Sequence, residues 1–311
     1  MSIKIKKIPL NYIFEKFPLQ EGILKSYLQT RPDALEKTDI FFENCRSQNQ
    51  KLKNFGLFQE TDYDDDKTVY ICPVYLELYE YAYGSTMVKE VIDSLSKQYH
   101  SNKVVFQWNH DKDFSVIEPP GSRYPNIWSR PKNTFIINFN TSDRHPNDII
   151  VPFWVINTEW VEKPKLYTAG FIGSLNNGLR QTLANTISEK KGYIYRSGLS
   201  HDDFLKTSSR CFFSLCPRGQ GLSSYRFYES FHLNTIPVLF ADKSILPFSE
   251  EIDYHSISIP VIEQYAHNFE ELDKIIKIKL LQWDEIMQEI KNIRHKFTLL
   301  GVQEEVHRRL L

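Results

Sequence analysis

Few cysteines, almost no net charge and no apolar run of membrane-spanning length set the outer bounds on this 311-residue chain. Cys45, Cys72, Cys211 and Cys216 lack the C-x-x-C or Cys/His spacing of a zinc site and stand in apolar surroundings, which predicts buried free thiols. A formal net charge of -1 leaves no electrostatic footprint for nucleic acid or an anionic membrane. The opening "MSIKIKKI" has three lysines but not the apolar stretch of a signal peptide or anchor, so the expectation is a cytoplasmic protein without a transmembrane segment. "NTS" at Asn140 fits a glycosylation acceptor but, with no secretory signal, reads as a loop. Internal repeats and low-complexity segments are missing too, and nothing in the sequence fixes an oligomeric state.

What is present is 41% hydrophobic residues, enough for a full core and most economically for two domains. Strand-like runs alternate with helical ones. "TVYICPVYL" reads as a strand, "TMVKEVIDSLSKQY" as a helix with Val88, Val91, Ile92, Leu95 and Tyr99 on one face, and "KVVFQW", "NTFIINF" and "DIIVPFW" as strands. The pattern breaks around "NTEWVEKPKL", predicting domains at 1–160 and 161–311. The second half gives "YTAGFIG", a helix from about Leu179, "YIYRSG", a helix at "HDDFLKTSS", then "RCFFSLCP" and "TIPVLFAD" around one more helix. Such alternation predicts an α/β fold with parallel sheets covered by helices. From about Asn268 to Phe297 the chain reads as nearly uninterrupted helix, and the tail ends in another short helix.

The most informative stretch is "CPRGQGLSSYRFYESFHLNTIPVLFAD", Cys216 to Asp242. Arg218 to Leu222 would form the loop at the carboxyl edge of a buried parallel strand, where open α/β sheets bind ligands. Gly219 and Gly221 let a ligand approach the backbone. Ser223 or Ser224 can cap a helix from about Tyr225 to Leu233, whose free N–H groups suit a phosphate or diphosphate. Arg226 and Glu229 share a face of that helix, so the guanidinium could take phosphate and the carboxylate both hydroxyls of a ribose. An ordinary intrahelical ion pair is the alternative.

The segment from "SSRCFFSLCPRG" through "LPFSEEIDY" resembles the C-terminal signature of the exostosin-like glycosyltransferases: Cys-Pro-x-Gly, Ser-x-Arg-x-x-Glu, an Ile-Pro-Val strand and Leu-Pro-Phe before Ile-Asp. Upstream, "FIGSLNNGLRQTL" is similar to the family's Phe-x-Gly loop and following arginine, here Gly173 and Arg180. In the first half "VYICPVYLELY" and "NTFIINFNTSDRHPNDIIVPFW" resemble family strands, with Phe139-Asn140 where the family often has His-Asp. The resemblance implies the GT-B architecture, two Rossmann-like domains facing across a cleft, with C-terminal helices folding back toward the first domain. It implies an inverting transfer from a nucleotide-sugar, mostly a UDP-sugar, to a glycan acceptor, with no cofactor and no metal. Gly173, Arg180, Arg218, Gly219, Ser223, Ser224, Arg226 and Glu229 would bind the donor.

Inverting transfer also needs a base for the acceptor hydroxyl, expected from the first domain. Glu80 and Asp143 lead the candidates, with Glu77 and His145 beside them. Tyr195 and Arg196 could line a neighbouring pocket or simply end a strand. Two other readings stand: a metal-dependent GT-A enzyme using Asp111 and Asp113 or the "DYDDD" loop, and a non-catalytic nucleotide-sugar-binding protein on the same fold.

Overall fold

A computed structural model describes residues 2–23, 25, 56–74, 76–108, 130–138, 145–153 and 159–311. The chain divides into two compact units, Met1–Val151 with Val302–Leu311, and Pro152–Gly301. Each is built on a parallel sheet with helices. The α/β class and the two parallel-sheet units followed by C-terminal helices agree with the sequence reading.

In the first unit the strands are β1 (Ile3–Lys7), β2 (Phe58–Glu60), β3 (Val69–Ile71), β4 (Val104–Trp108), β5 (Thr134–Asn138) and β6 (Asp148–Ile150), in sheet order β2-β1-β3-β4-β5-β6. Helices α1 (Leu10–Lys16), α2 (Leu76–Tyr83) and α3 (Ser85–Gln98) accompany them. The α3 periodicity works as expected: Val88, Val91, Ile92 and Leu95 are fully buried, while Tyr99, just past its end, stacks on Tyr70 with centroids 4.1 Å apart. β1 was legible only as a lysine-rich start. Its alternation buries Ile3 and Ile5 and sends Lys4 and Lys6 to Asp65 and Asp64 at 2.7 and 2.8 Å. "TVYICPVYL" is only partly strand, because the chain turns at Cys72–Val74 and enters α2.

The second unit holds β7 (Tyr167–Ile172), α4 (Gly178–Ile187), β8 (Tyr193–Arg196), α5 (His201–Ser208), β9 (Cys211–Pro217), α6 (Tyr225–Ser230), β10 (Ile236–Phe240), α7 (Tyr254–Ile257) and β11 (Ile259–Val261). The sheet order is β11-β10-β9-β7-β8. From β7 the chain steps to β8 on one side, then crosses back to β9 on the other, so the loops leaving β7 and β9 part in opposite directions. This is a topological switch point, and the crevice it opens is where parallel α/β sheets take ligands. β7 and β9 lie close because residue 170 is glycine: a Cβ there would sit 2.7 Å from Cys211 Sγ and 2.9 Å from Ile194 Cγ2.

Two boundaries differ from the sequence reading. The division falls at Val151/Pro152, ahead of residue 160, because Trp160 and Val161 already pack within the second unit: Val161 N–H donates to His232 O at 3.0 Å, and Trp160 lies under the cationic ends of Lys291 and Arg294. The helical tail is also broken. α8 (Phe269–Leu280) and α9 (Trp283–Ile293) belong to the second unit, whereas α10 (Leu299–Leu310) carries residues 302–311 to the first. There Arg309 donates to Pro146 O and Asp148 O at 2.8 and 3.1 Å. No glycine or proline causes these breaks. Phe297, fully buried and stacked 4.4 Å from Phe231, fixes the second of them.

Candidate functional site

At the switch point of the second unit two loops meet, one after β7 and one after β9. Asn177, the N-cap of α4, joins them. Its Oδ1 accepts the Arg180 backbone N–H at 3.0 Å, and its Nδ2 donates to the carbonyls of Arg218 and Gly219 at 3.2 and 3.0 Å. Arg180 braces the same loop from the next turn, its Nε donating to Arg218 O at 3.1 Å and its Nη1 to Ser174 O at 3.4 Å. The β9 loop then closes on itself through Gly219 N–H to Ser223 O at 3.1 Å.

Neither Gly173 nor Gly219 has a positive φ, so neither is needed for a left-handed turn. A Cβ on Gly219 would make ordinary contacts, 3.6 Å from Arg180 Nη2 and 3.9 Å from Ser223 O. What glycine supplies at 219 is bare backbone. Gly173 donates to Arg196 O at 3.0 Å, turning the chain out of β7.

Ser224 occupies the N-cap position of α6 but makes no side-chain cap bond. Its hydroxyl is buried, the residue being 2% exposed, and has no hydrogen-bond partner among the described residues. Ser223 donates to Tyr228 OH at 3.3 Å, deep in the unit. α6 runs only six residues, Tyr225–Ser230, short of the expected Leu233. Fewer than two turns make a weak dipole, so any anion here would be held by hydroxyls, amides and guanidinium groups more than by the helix end.

The Arg226–Glu229 pair is where the sequence alternatives part. Arg226 Nη1 donates to Glu229 Oε2, its Nε donates to Ile172 O at 3.1 Å, and its guanidinium lies 3.8 Å over the Phe204 ring. With side chains 22% and 14% exposed, this is a largely buried ion pair that ties α6 to the end of β7 and to α5. It is not the exposed surface pair that was the alternative reading.

Arg218 points elsewhere. Its Nε and Nη2 grip Glu263 Oε1 and Oε2 at 2.5 and 3.2 Å, a fork-to-fork pair between β9 and the turn after β11. Glu263 is itself oriented, its N–H donating to Asp242 Oδ1 at 2.7 Å. Beside this pair lies a cavity of about 390 Å³ lined by Asn177, Thr182, Arg218, Glu263, Gln264 and His267. Asn177, Asp242 and Glu263 escaped the sequence reading. The N-cap position of Asn177 was a usable signal, whereas Glu263 lies 45 residues from Arg218 and had none.

In the first unit Glu77 stands in the first turn of α2, just past the carboxyl end of β3, and is 8% exposed; Glu80 follows one turn on and is half-buried. His145 lies at the opposite, amino edge, immediately before β6. There its Nδ1 accepts Asn147 N–H at 3.2 Å and its own N–H donates to Asp148 at 3.0 Å. Asp148 in turn forms a buried pair with Arg130 at 2.6 Å. Asp143, Phe139, Asn140, Asp111 and Asp113 lie outside the described residues. Two of the four "DYDDD" carboxylates are occupied: Lys4 holds Asp65 down to about 2, and Lys6 lowers Asp64. Tyr195 tilts against Phe171 with centroids 5.5 Å apart, and Arg196 turns its Nη1 onto Tyr195 O at 2.8 Å.

Cys72, Cys211 and Cys216 are buried free thiols, and burial pushes the last of them up to about 11, so it stays protonated. Cys45 lies outside the described residues. Among the described residues, no helix is long and apolar enough to cross a membrane.

Fold and site together define an α/β protein with a braced, bare-backbone loop at the sheet edge where small polar ligands bind. Residues 126–277 match the Exostosin GT47 domain, so over that stretch the chain is similar to the exostosin-like glycosyltransferases. The Exostosin-1 homolog of Caenorhabditis elegans is 43% identical over 177 residues, covering 46% of this chain and 46% of that protein. A probable glycosyltransferase of Arabidopsis thaliana is 29% identical over 98 residues, covering 30% of this chain and 20% of that one. The chain thus spans less than half the length of these relatives. Among solved structures, the GtfA/B complex aligns with a TM-score of 0.45 at 13% identity, over 80% of this chain and 57% of that one.

Proposed function

We propose that this chain is an inverting glycosyltransferase that moves a sugar from a nucleotide-sugar, a UDP-sugar, to a hydroxyl of a glycan acceptor, on a GT-B plan and without a metal. The observation that carries this reading is the position of the Cys216–Glu229 run: it falls inside the exostosin-matched region and sits at the β7/β9 switch point. A carboxylate of the first unit, Glu77 or Glu80, takes the proton of the acceptor hydroxyl. The freed oxygen bonds to the anomeric carbon from the face opposite the leaving group, and the sugar–phosphate bond breaks, leaving with the nucleoside diphosphate. The amides of residues 220–224 and the Ser224 hydroxyl, which has no partner among the described residues, are the groups available to stabilise the charge that develops on the diphosphate, beside the Glu263-held Arg218.

Binding decides the reading first. In EDTA, UDP and at least one UDP-sugar should raise the melting temperature in a panel that also holds GDP-, CMP- and dTDP-sugars. Stabilisation that demands Mn²⁺ or Mg²⁺ and vanishes on replacing Asp111 and Asp113 would overturn the metal-free reading. No response to any nucleotide would overturn the donor assignment itself. Donor binding with no transfer to any glycan acceptor would leave a binding protein.

A further inference from the structure

Arg218 is engaged by the protein along its whole length. Its N–H donates to Phe240 O at 3.2 Å, and its carbonyl accepts from Arg180 and Asn177. Its guanidinium commits Nε and Nη2 to Glu263 and Nη1 to Gly219 O at 3.2 Å. A guanidinium forked onto a carboxylate has its charge offset within the pair, which leaves it a weak attractor for a diphosphate. With side chains 31% and 22% exposed, the pair also adds only modest stability. Its main consequence is geometric.

Pro217, Phe240 and Val261 lie level across β9, β10 and β11. Arg218 follows the first of these directly, and Glu263 stands two residues past the last. Neighbouring strands are about 4.8 Å apart, so the pair bridges roughly twice that distance across the end of β10. Asp242, two residues past Phe240, anchors the far side by accepting the Glu263 N–H at 2.7 Å. Only a long side chain with a two-pronged tip spans that gap without swinging.

The loop tied in this way carries unpaired donors. Among the described residues no N–H of residues 220–224 donates a hydrogen bond, although Gly221, Ser223 and Ser224 are buried, and the Ser224 hydroxyl is likewise without a partner there. Buried backbone donors are ordinarily paired, so this run is suited to an anion. Asn177 and Arg180 hold the start of the loop from the β7 side, and the Arg218–Glu263 fork holds it from the β11 side.

We infer that Glu263, set by Asp242, is a positioning residue for the donor's diphosphate: acting through Arg218, it holds the 218–224 loop so that the amides of residues 220–224 meet the phosphates, and Arg218 itself does not take them. This rests on the nucleotide-sugar reading above and names the residues that shape its phosphate loop.

Charge and position predict opposite signs. If Arg218 were a phosphate ligand muted by its partner, Glu263→Gln would unmask it and UDP would bind more tightly. If the pair positions the loop, Glu263→Gln weakens UDP about tenfold, Arg218→Gln does the same, and the double variant loses no more than either single one, because both act through one link. Calorimetric titration with UDP in EDTA reads these affinities. In nucleotide-free protein, hydrogen exchange at residues 220–224 should quicken in both single variants, while the amides of Leu183–Ile187 in α4 keep the wild-type rate. UDP bound by Glu263→Gln as tightly as by the wild type or more so, or losses that add in the double variant, overturns the assignment and leaves the donor reading intact. So does weaker UDP without faster exchange at 220–224. A wild type that binds no nucleotide removes the donor reading and the proposal together. Should Glu263→Gln fold poorly, Glu263→Asp decides: it keeps the charge but falls one methylene short of Arg218, so UDP should still weaken, and unchanged affinity overturns the proposal.

Discussion

Replacing Asn177 tests whether the two loops of the second unit form one braced site. Asn177→Ala removes the α4 cap, worth about 1 kcal/mol. It also removes two neutral hydrogen bonds, each worth about 0.5–1.5 kcal/mol. Both carbonyls keep another donor, Arg180 Nε on Arg218 O at 3.1 Å and Arg218 Nη1 on Gly219 O at 3.2 Å. The low end of each range therefore applies, and the sum comes to about 2 kcal/mol. For a unit of this size that lowers the melting temperature by about 4–8 °C. Asn177→Ser separates the two parts, because serine can still cap the helix but cannot reach the carbonyls. It should lose only about 1 kcal/mol, or about 2–4 °C. Nucleotide affinity should divide differently, since both variants lose the loop brace and should weaken UDP to the same degree. Differential scanning fluorimetry and UDP titration on the three proteins read both quantities. UDP affinity within twofold of wild type in both variants, or serine melting together with alanine, would refute the reasoning.

Two further outcomes are expected. Lys165 donates to Ser209 O and Cys211 O at 3.0 and 2.8 Å and also to Asn234 O, yet burial holds it at about 8, below the usual 10.5. Below the folded value both states are protonated and the burial cost is fully present. As pH rises from about 8 towards 10.5 the folded state gives up its proton first, so stability should rise. Relative to Lys165→Met, the wild type should therefore gain about 1–2 kcal/mol by pH 9.5 in denaturant unfolding, and a difference that stays flat or shrinks would refute the burial argument. For the acceptor base, Glu77→Gln or Glu80→Gln should slow transfer about 10²- to 10⁴-fold with UDP affinity unchanged. Near-native turnover in both would place the base on another residue, Asp143 among them.

Much of the architecture was written locally. Period-two and continuous apolar runs named β4, β5, β6, β7, β9 and β10, the 3.6-residue pattern named α3, and the glycine–serine punctuation after Pro217 marked the loop that became the site. These signals are readable because each concerns how a short segment buries its own side chains. The sequence also supplied the Arg226–Glu229 spacing, but not whether the pair would face a ligand or the protein. That depended on Phe204 and Ile172, which the fold brings from two other elements. The switch point was a matter of strand order, which no segment encodes alone: from β8 the chain had to cross over β7 so that β9 settled on its other side, where Gly170 leaves room for Cys211. The grip of Glu263 on Arg218 likewise required β11 to dock beside β10 first. Local burial patterns were therefore enough to name the elements, whereas the site is made by pairings between residues far apart in the chain, whose energies exist only once the sheet has closed.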